Sequence, residues 1–312
     1  MSGVLQGFAV VTILILIGLA TARFLPSQRE DIAKGLTPLI YYITNPALMM
    51  VLLSGTDLRF VIGVFTPIAL LTAVVTGAVY AGLSRLLFRT PAHRLPAAAM
   101  STSYVNAGNI GVPLALYAVG STSPVVSVLL AQLLVIAPIY LCLFGLVSRA
   151  AGETQSTPLW RTVLRSIANP VTIATFVGAL LSWFGLQLPE VVFIPIEMLG
   201  QASIPLLLMV FGMSLFGQRP LSNKQLRGEV LLGAAFKVLF MPLLAWVVAR
   251  FLFHLDGADL LGVVIMAALP TAQNVLLFSQ QFRLGQEVPR EVILTSTLLT
   301  LPVVLLATLL LG

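Results

Sequence analysis

Ten apolar runs fill almost the whole chain, and each is long enough to cross a lipid bilayer as a helix. A membrane-spanning helix needs about 20 predominantly apolar residues. The connections between the runs are short, and the longest extends from Arg149 to Arg165. We therefore predict an all-α polytopic membrane protein with ten transmembrane helices. The runs lie at approximately 4–22, 36–54, 60–84, 95–119, 124–147, 166–186, 191–216, 228–251, 259–282 and 290–311.

Charged residues are too scarce to cover a water-facing surface. They make up 9% of the 312 residues, hydrophobic residues make up 58%, and the mean hydropathy is +1.03; a soluble domain carries about 25% charged residues. The lipid bilayer is therefore the predicted surrounding. The net charge of +6 does not indicate a nucleic-acid partner, because the basic residues fall in small groups between the runs. Cys142 is the single cysteine, so we expect no disulfide framework and no cysteine-based metal site.

Lysine and arginine are distributed unevenly between alternate connections. Fourteen of them follow odd-numbered runs, whereas Arg59 and Arg250 follow even-numbered runs and Lys237 lies inside the eighth. Cytoplasmic loops of membrane proteins are enriched in these residues, so we expect both termini on the non-cytoplasmic side. The first run is counted as a span because residues 1–6 carry no positive side chain, which a secretory signal would carry.

The two halves of the chain are related by an internal repeat. Shifts of 159 to 165 residues place Gly18 on Gly178, Met50 on Met209 and Asn109 on Asn274. Each half holds five runs, an odd number, so the second half must enter the membrane from the opposite side. Inverted repeats of this kind are typical of secondary transporters, whose site lies near the membrane midplane. The predicted organisation is a first five-helix repeat at 1–148, a cytoplasmic linker at 149–165 and an inverted second five-helix repeat at 166–312.

The fourth and ninth runs carry helix-interrupting residues at corresponding places. Residues 104–113 read Tyr-Val-Asn-Ala-Gly-Asn-Ile-Gly-Val-Pro, and residues 270–274 read Pro-Thr-Ala-Gln-Asn. Glycine weakens a helix, and proline withholds an N–H donor. Matching interruptions in the two halves are the best sequence indication of a transporter's binding site. The amino ends of the resulting half-helices would offer free N–H groups to an anion. We therefore predict broken, crossing helices four and nine.

The candidate substrate-binding residues are the polar and helix-breaking residues of these two interruptions. Their amides and hydroxyls can hydrogen-bond a ligand, although such residues also hold transmembrane helices together without binding anything. Asn45-Pro46 and Ser203-Ile204-Pro205, in the second and seventh runs, either line the same cavity or only kink their helices. The candidates are Asn106, Gly108, Asn109, Pro113, Pro270, Thr271, Gln273 and Asn274.

Two charged residues inside apolar runs are candidates for coupling or charge recognition. Lys237 lies ten positions after Arg227, roughly 15 Å along a helix. A charge at such depth indicates function by default: Lys237 would attract an anion, replace a coupling cation or change its protonation state. The structural alternative is a hydrogen bond to the carbonyls of a broken helix. Glu197, early in the seventh run, is either a proton or cation site or an interfacial residue.

Together these segments resemble the auxin efflux carrier family. The resemblance is carried by residues 45–48, 106–113, 204–208 and 270–274 and covers nearly the whole chain. It implies an architecture similar to that of the bile acid:sodium symporters, with scaffold helices 1, 2, 6 and 7 interleaved with transport helices 3–5 and 8–10. It also implies organic anions as substrates and homodimers formed through the scaffold helices. The short linker is similar to that of bacterial members, so the expected location is the bacterial inner membrane.

We expect a secondary carrier of small organic anions, acting by elevator-type alternating access, and not an enzyme. The H-E-x-x-H and G-x-x-x-x-G-K motifs are absent from the sequence. No cofactor is expected. Sodium coupling and proton coupling are both open, but neither interruption carries an acidic residue, which favours a carrier that does not depend on sodium. The alternatives are a channel, a carrier of amino acids or other neutral solutes, and a sensor built on the carrier fold.

Overall fold

The computed structural model describes residues 2–150, 160–161, 164, 168–217, 220–221 and 223–311. Within these ranges the regular structure is helical apart from one isolated β-bridge. Most of the predicted linker at 149–165 lies outside the described residues. The helices are α1 (Ser2–Phe24), α2 (Arg29–Ser54), α3 (Leu58–Phe88), α4 (Leu95–Ser103), α5 (107–119), α6 (Ser123–Ala150), α7 (Pro170–Phe184), α8 (Glu190–Leu215), α9 (Lys224–Leu252), α10 (Gly257–Ala268), α11 (Asn274–Gln281) and α12 (Glu287–Leu311).

The length and surface of these helices suit a lipid bilayer. In the described part of the chain, α2, α3, α6, α8, α9 and α12 are long and apolar enough to cross a membrane, and α7 and α10 are shorter apolar helices. Large apolar side chains face outward, with Val191 85% exposed and Leu310 73% exposed, whereas soluble proteins keep such surfaces small. The predicted all-helical, multi-pass membrane class is confirmed, while the count of ten spans and the inverted repeat stay predictions.

Local sequence signals set several helix ends. Asp57 Oδ1 accepts hydrogen bonds from the N–H groups of Arg59 and Phe60 at the start of α3, and Asn169 Oδ1 accepts one from Thr172 at the start of α7. Such N-caps satisfy N–H groups that have no partner within the helix. Helix α7 ends at Gly185, whose φ of +64° is a left-handed conformation that glycine adopts without strain.

The helices group into two compact units, of which the first comprises Met1–Gly63, Gly108–Val126 and Ala168–Gln218. Its helices approach closely at glycines: Gly18 of α1 lies against the main chain of Met209, and Gly178 of α7 lies against the main chain of Met50. A side chain at either glycine would collide with that backbone. Small residues give transmembrane helices this close contact.

The second unit comprises Val64–Ala107, Ser127–Ile167 and Arg219–Gly312. Its core includes Tyr80 of α3, Phe236 of α9 and Val292 of α12, all buried. The Tyr80 and Phe236 rings meet edge to face with centroids 5.8 Å apart, a favoured aromatic geometry. Helices α3, α4, α9 and α12 are thereby fixed around the interruptions that separate α4 from α5 and α10 from α11.

Candidate functional site

The two interruptions lie where the sequence predicts them, and their backbones hydrogen-bond to each other. Val105 and Thr271 form an antiparallel β-bridge. The N–H of Asn106 donates to the Pro270 carbonyl at 2.8 Å, and the N–H of Ala272 donates to the Tyr104 carbonyl at 3.0 Å. We call this arrangement of residues 104–106 and 269–273 the crossing. Backbone groups without helical partners are expensive in a bilayer, and the crossing satisfies several of them internally.

The first interruption is shorter than the sequence predicts. Only residues 104–106 are non-helical, whereas Asn109 and Pro113 lie inside α5. Helix α5 is π-helical over Ala107–Gly111 and again over Ala115–Val119. Pro113 lies between these two π-helical stretches, in the short α-helical turn Val112–Leu114. The expectation that Pro113 lies in the break was therefore wrong: it lies in the helix that follows.

The predicted site residues differ in exposure. Pro270 is buried, Asn106 is 5% exposed and Thr271 is 1% exposed. Gln273 and Asn274 are exposed at the amino end of α11, where the N–H groups of Val275 and Leu276 donate to the Ala272 and Gln273 carbonyls. A pair of exposed amide side chains at the positive end of a helix can bind an anion. Gly108 and Asn109, near the amino end of α5, are half-buried.

Polar side chains satisfy the carboxyl ends of the half-helices. Thr271 Oγ1 donates to the Ser101 carbonyl of α4 at 2.5 Å, and Gln132 Nε2 donates to the Val105 carbonyl at 3.1 Å. Thr300 Oγ1 donates to the Ser296 carbonyl of its own helix at 2.7 Å and lies 3.3 Å from the Ala268 carbonyl of α10. The Thr271 N–H in turn donates to Ser296 Oγ at 3.2 Å. Side chains from α6 and α12 thereby hold the crossing in one conformation.

Lys237 of α9 lies at the carboxyl end of α10. Its ammonium donates to the Ala267 carbonyl at 2.9 Å and contacts Met241 Sδ at 3.3 Å, and the side chain is 0% exposed. The structural alternative considered for this residue, a hydrogen bond to the carbonyls of a broken helix, is therefore observed. A cation at the negative end of a helix is stabilising.

The structure brings together only part of the predicted set. Six of the predicted residues belong to the second unit and lie around the crossing: Asn106, Pro270, Thr271, Gln273, Asn274 and Lys237. Gly108, Asn109, Pro113 and Glu197 belong to the first unit. Glu197 is half-buried on α8.

Several residues that contribute to this unit escaped sequence reasoning. Ser101, Ser296 and Thr300 contribute to this region, but their hydroxyls also bond to carbonyls of their own helices, at Ala98, Ile293 and Ser296. Such bonds are usual for hydroxyls in spans, and the sequence therefore did not single these residues out. Glu229 of α9 is 6% exposed, and its carboxylate accepts bonds from Ser84 Oγ at 3.1 Å and Thr90 Oγ1 at 2.9 Å. Glu229 lies close in sequence to the basic residues of a loop, so nothing in the sequence indicated that its side chain is buried. Among the described residues, no group of His, Cys, Asp and Glu could hold a metal ion.

Comparisons with known proteins identify the family of this chain. The model of the family described as "Membrane transport protein" matches residues 4–308. A protein of Rhizobium meliloti (strain 1021) named "Putative malonate transporter" is 28% identical over 299 residues, which cover 93% of this chain and 90% of that protein. The match spans both units and both interruptions. The chain therefore belongs to the auxin efflux carrier family of membrane transport proteins.

Proposed function

We propose that the protein is a secondary active transporter of small organic anions, carboxylates in particular, in the bacterial inner membrane. The observation that carries this proposal is the hydrogen-bonded crossing of residues 104–106 and 269–273, with Gln273 and Asn274 exposed beside it. Transporters with interrupted helices bind their substrates at such places. The name of the Rhizobium relative, which mentions malonate, supports a small carboxylate as the substrate class.

The chemistry of the crossing suits a carboxylate that must be bound and then released. The amino end of α11 offers a partial positive charge, while the N–H groups of Val275 and Leu276 already donate to the Ala272 and Gln273 carbonyls. Asn274 and Gln273 add neutral donors, and residues 104–106 and 269–273 contain no formally charged side chain. A dicarboxylate held by neutral donors is bound less firmly than one that accepts two hydrogen bonds from an arginine guanidinium. The first repeat is proposed to contribute four residues to the substrate site: Asn106, Gly108, Asn109 and Pro113.

The proposed architecture is a pair of inverted five-helix repeats. One pair of contacts supports it: Gly18 packs on Met209, and Gly178 packs on Met50. The shift that places Gly18 on Gly178 places Met50 on Met209 to within one residue. The same contact therefore occurs twice with the halves exchanged, as a two-fold relation between the repeats requires.

The proposed mechanism is an elevator in which transport helices move against scaffold helices. The grouping of helices supports it, because α1, α2, α7 and α8 fall in the first unit and α3, α4 and α9 to α12 fall in the second. Residues 58–63 at the start of α3 and residues 108–126 are the exceptions, since both segments group with the first unit. We further propose that the scaffold helices form a homodimer and that both termini face away from the cytoplasm.

A channel, or a carrier of amino acids or other neutral solutes, is the second candidate. The observation that favours it is the lack of a formal charge in the crossing itself, since a polar constriction can also act as a filter. Saturable exchange distinguishes a carrier from a channel, and the class of stabilising ligand distinguishes an anion from a neutral solute.

Thermal unfolding of the purified protein against a panel of ligands tests the proposed substrate class. A bound ligand raises the unfolding temperature by mass action. We expect malonate and similar carboxylates to stabilise the protein, and the same carboxylates to lose this effect on Asn274→Ala. Stabilisation by amino acids or neutral solutes, with none by carboxylates, would overturn the anion assignment and favour the second candidate.

A further inference from the structure

The carboxyl end of half-helix α10 lies buried inside the second unit, and its last carbonyls point at side chains of other helices. The Ala267 carbonyl accepts from Lys237 Nζ at 2.9 Å, and the Ala268 carbonyl lies 3.3 Å from Thr300 Oγ1, whose shorter bond is to the Ser296 carbonyl of α12. The carboxyl end of a helix carries a partial negative charge. In transporters with interrupted helices, carbonyls at such ends coordinate the coupling cation.

The Lys237 ammonium has no carboxylate partner in the part of the chain that the structure describes. Ion pairs found there include Lys34 with Glu30, Arg94 with Glu287 and Arg250 with Asp256. Glu229 precedes Lys237 by two helical turns and is bonded to Ser84 and Thr90 instead. A buried charge needs compensation, and the compensation observed here is the Ala267 carbonyl and the Met241 sulfur. The ammonium therefore lies at the carboxyl end of a half-helix, the kind of end at which transporters bind a coupling cation.

The equivalent end of α4 is arranged differently. Its Ser101 carbonyl accepts from the Thr271 hydroxyl, and the Val105 carbonyl beyond it accepts from the Gln132 amide. Both donors are neutral. The part of α3 that corresponds to Lys237 under shifts of 159 to 165 residues is 72–78, which contains no charged residue. One half-helix end is thus satisfied by neutral donors and the other by a formal cation.

We propose that Lys237 is a tethered cation that occupies the carboxyl end of α10 in place of a mobile alkali cation. The consequence, which rests on the proposed carrier function, is that this chain moves its anion without sodium. Lys237 acts as a positioning residue, since it fixes the half-helix that leads into the crossing. The carbonyl that it satisfies becomes a vacant cation ligand when the side chain is shortened.

The test is thermal unfolding of the purified full-length protein without substrate, in equal concentrations of sodium, methylammonium or choline chloride. Choline is too large to replace the ammonium. The variants are Lys237→Ala, which opens the space; Lys237→Met, which fills it without charge; and Lys237→Arg, which keeps the charge. Lys224→Ala is the matched control, because Lys224 is exposed at the start of the same helix.

We expect the wild type, Lys237→Arg and Lys224→Ala to unfold at temperatures that do not depend on the cation. Lys237→Ala should unfold at a lower temperature in choline and regain about 2–4 °C in sodium or methylammonium, whereas Lys237→Met should regain nothing. One outcome is that Lys237→Ala yields no folded protein in choline. In that case, folded protein obtained only in sodium or methylammonium supports the proposal in the same way. The proposal is overturned if Lys237→Ala behaves alike in all three salts, or if sodium stabilises the wild type.

A transport measurement tests this inference separately from the proposed function. Wild-type malonate exchange in proteoliposomes should be equal in sodium and choline, and a requirement for sodium would contradict the tethered cation. Failure to exchange any carboxylate would count against the proposed substrate class. It would leave the unfolding result intact, because that measurement contains no substrate.

Discussion

The N–H of Asn106 donates a hydrogen bond of 2.8 Å to the carbonyl oxygen of Pro270. The two residues lie 164 positions apart, each in the interruption of a different helix. Together with the Val105 and Thr271 bridge, this bond replaces part of the helical hydrogen bonding that the interruptions remove. The crossing is therefore a satisfied structural element, and the amides exposed beside it at the start of α11 are held on a fixed support.

Removing the Thr271 hydroxyl should loosen the crossing. Thr271→Val keeps the shape of the side chain but leaves the buried Ser101 carbonyl without its 2.5 Å donor. Loss of such a bond costs about 1–3 kcal/mol, so the unfolding temperature should fall by several degrees. Thr308→Val is the control, because Thr308 bonds only to its own helix at the Val304 carbonyl. Equal losses in the two variants would contradict a special role for Thr271.

Shortening Asn274 should remove ligand binding without unfolding the protein. Asn274 is exposed at the first position of α11, and exposed substitutions usually change stability by less than about 0.5 kcal/mol. We expect Asn274→Ala to unfold like the wild type and to lose its stabilisation by carboxylates, and Asn109→Ala to lose it as well. Gln280→Ala, exposed near the other end of α11, should keep it. A carboxylate response that survives in Asn274→Ala would refute the assignment.

The apolar helices and the places of the two interruptions could be predicted from the sequence, because both depend on local composition. Runs of apolar residues determine the helices, and proline with glycine or asparagine marks the breaks. The extent of the first break could not be predicted, since Pro113 is accommodated between two π-helical stretches of α5. Such turns have no clear local signature, so the proline indicated a longer break than exists.

The contacts between helices could not be predicted from the sequence. Lys237 was recognisable as a buried charge, but its partner, the Ala267 carbonyl, lies 30 residues away on another helix. Main-chain acceptors carry no sequence signal at all. The same reason hid the roles of Ser101 and Val105, whose carbonyls accept bonds from Thr271 and Gln132.

The buried Glu229 carboxylate should stabilise the junction of α3 and α9. Glu229→Ala leaves the hydroxyls of Ser84 and Thr90 without this acceptor, and we expect the free energy of unfolding to fall by about 1–3 kcal/mol. Glu229→Gln should fall less, because an amide oxygen can still accept both bonds. Glu190→Ala, at the exposed start of α8, should change little. A loss in Glu229→Gln as large as in Glu229→Ala would mean that the negative charge, and not the acceptor, is what matters.

The uneven distribution of lysine and arginine predicts which loops face the cytoplasm. In a Cys142→Ser background, Ser27→Cys lies in an exposed loop after α1 and His254→Cys lies in an exposed loop after α9. Cytoplasmic loops carry the excess of basic residues, so a membrane-impermeant thiol reagent added to intact cells should label His254→Cys and spare Ser27→Cys. The reverse pattern would invert the proposed orientation, and labelling of both would contradict the number of spans between them.

Counterflow of labelled malonate into proteoliposomes tests the account most directly. Vesicles that contain the purified protein are loaded with unlabelled malonate and diluted into a trace of the labelled compound. The account predicts a transient, saturable accumulation of label that requires the internal anion, because a carrier exchanges substrate across a single alternating site. Label that merely equilibrates, with or without internal malonate, would indicate a channel, and no accumulation with any small carboxylate would contradict the proposed function.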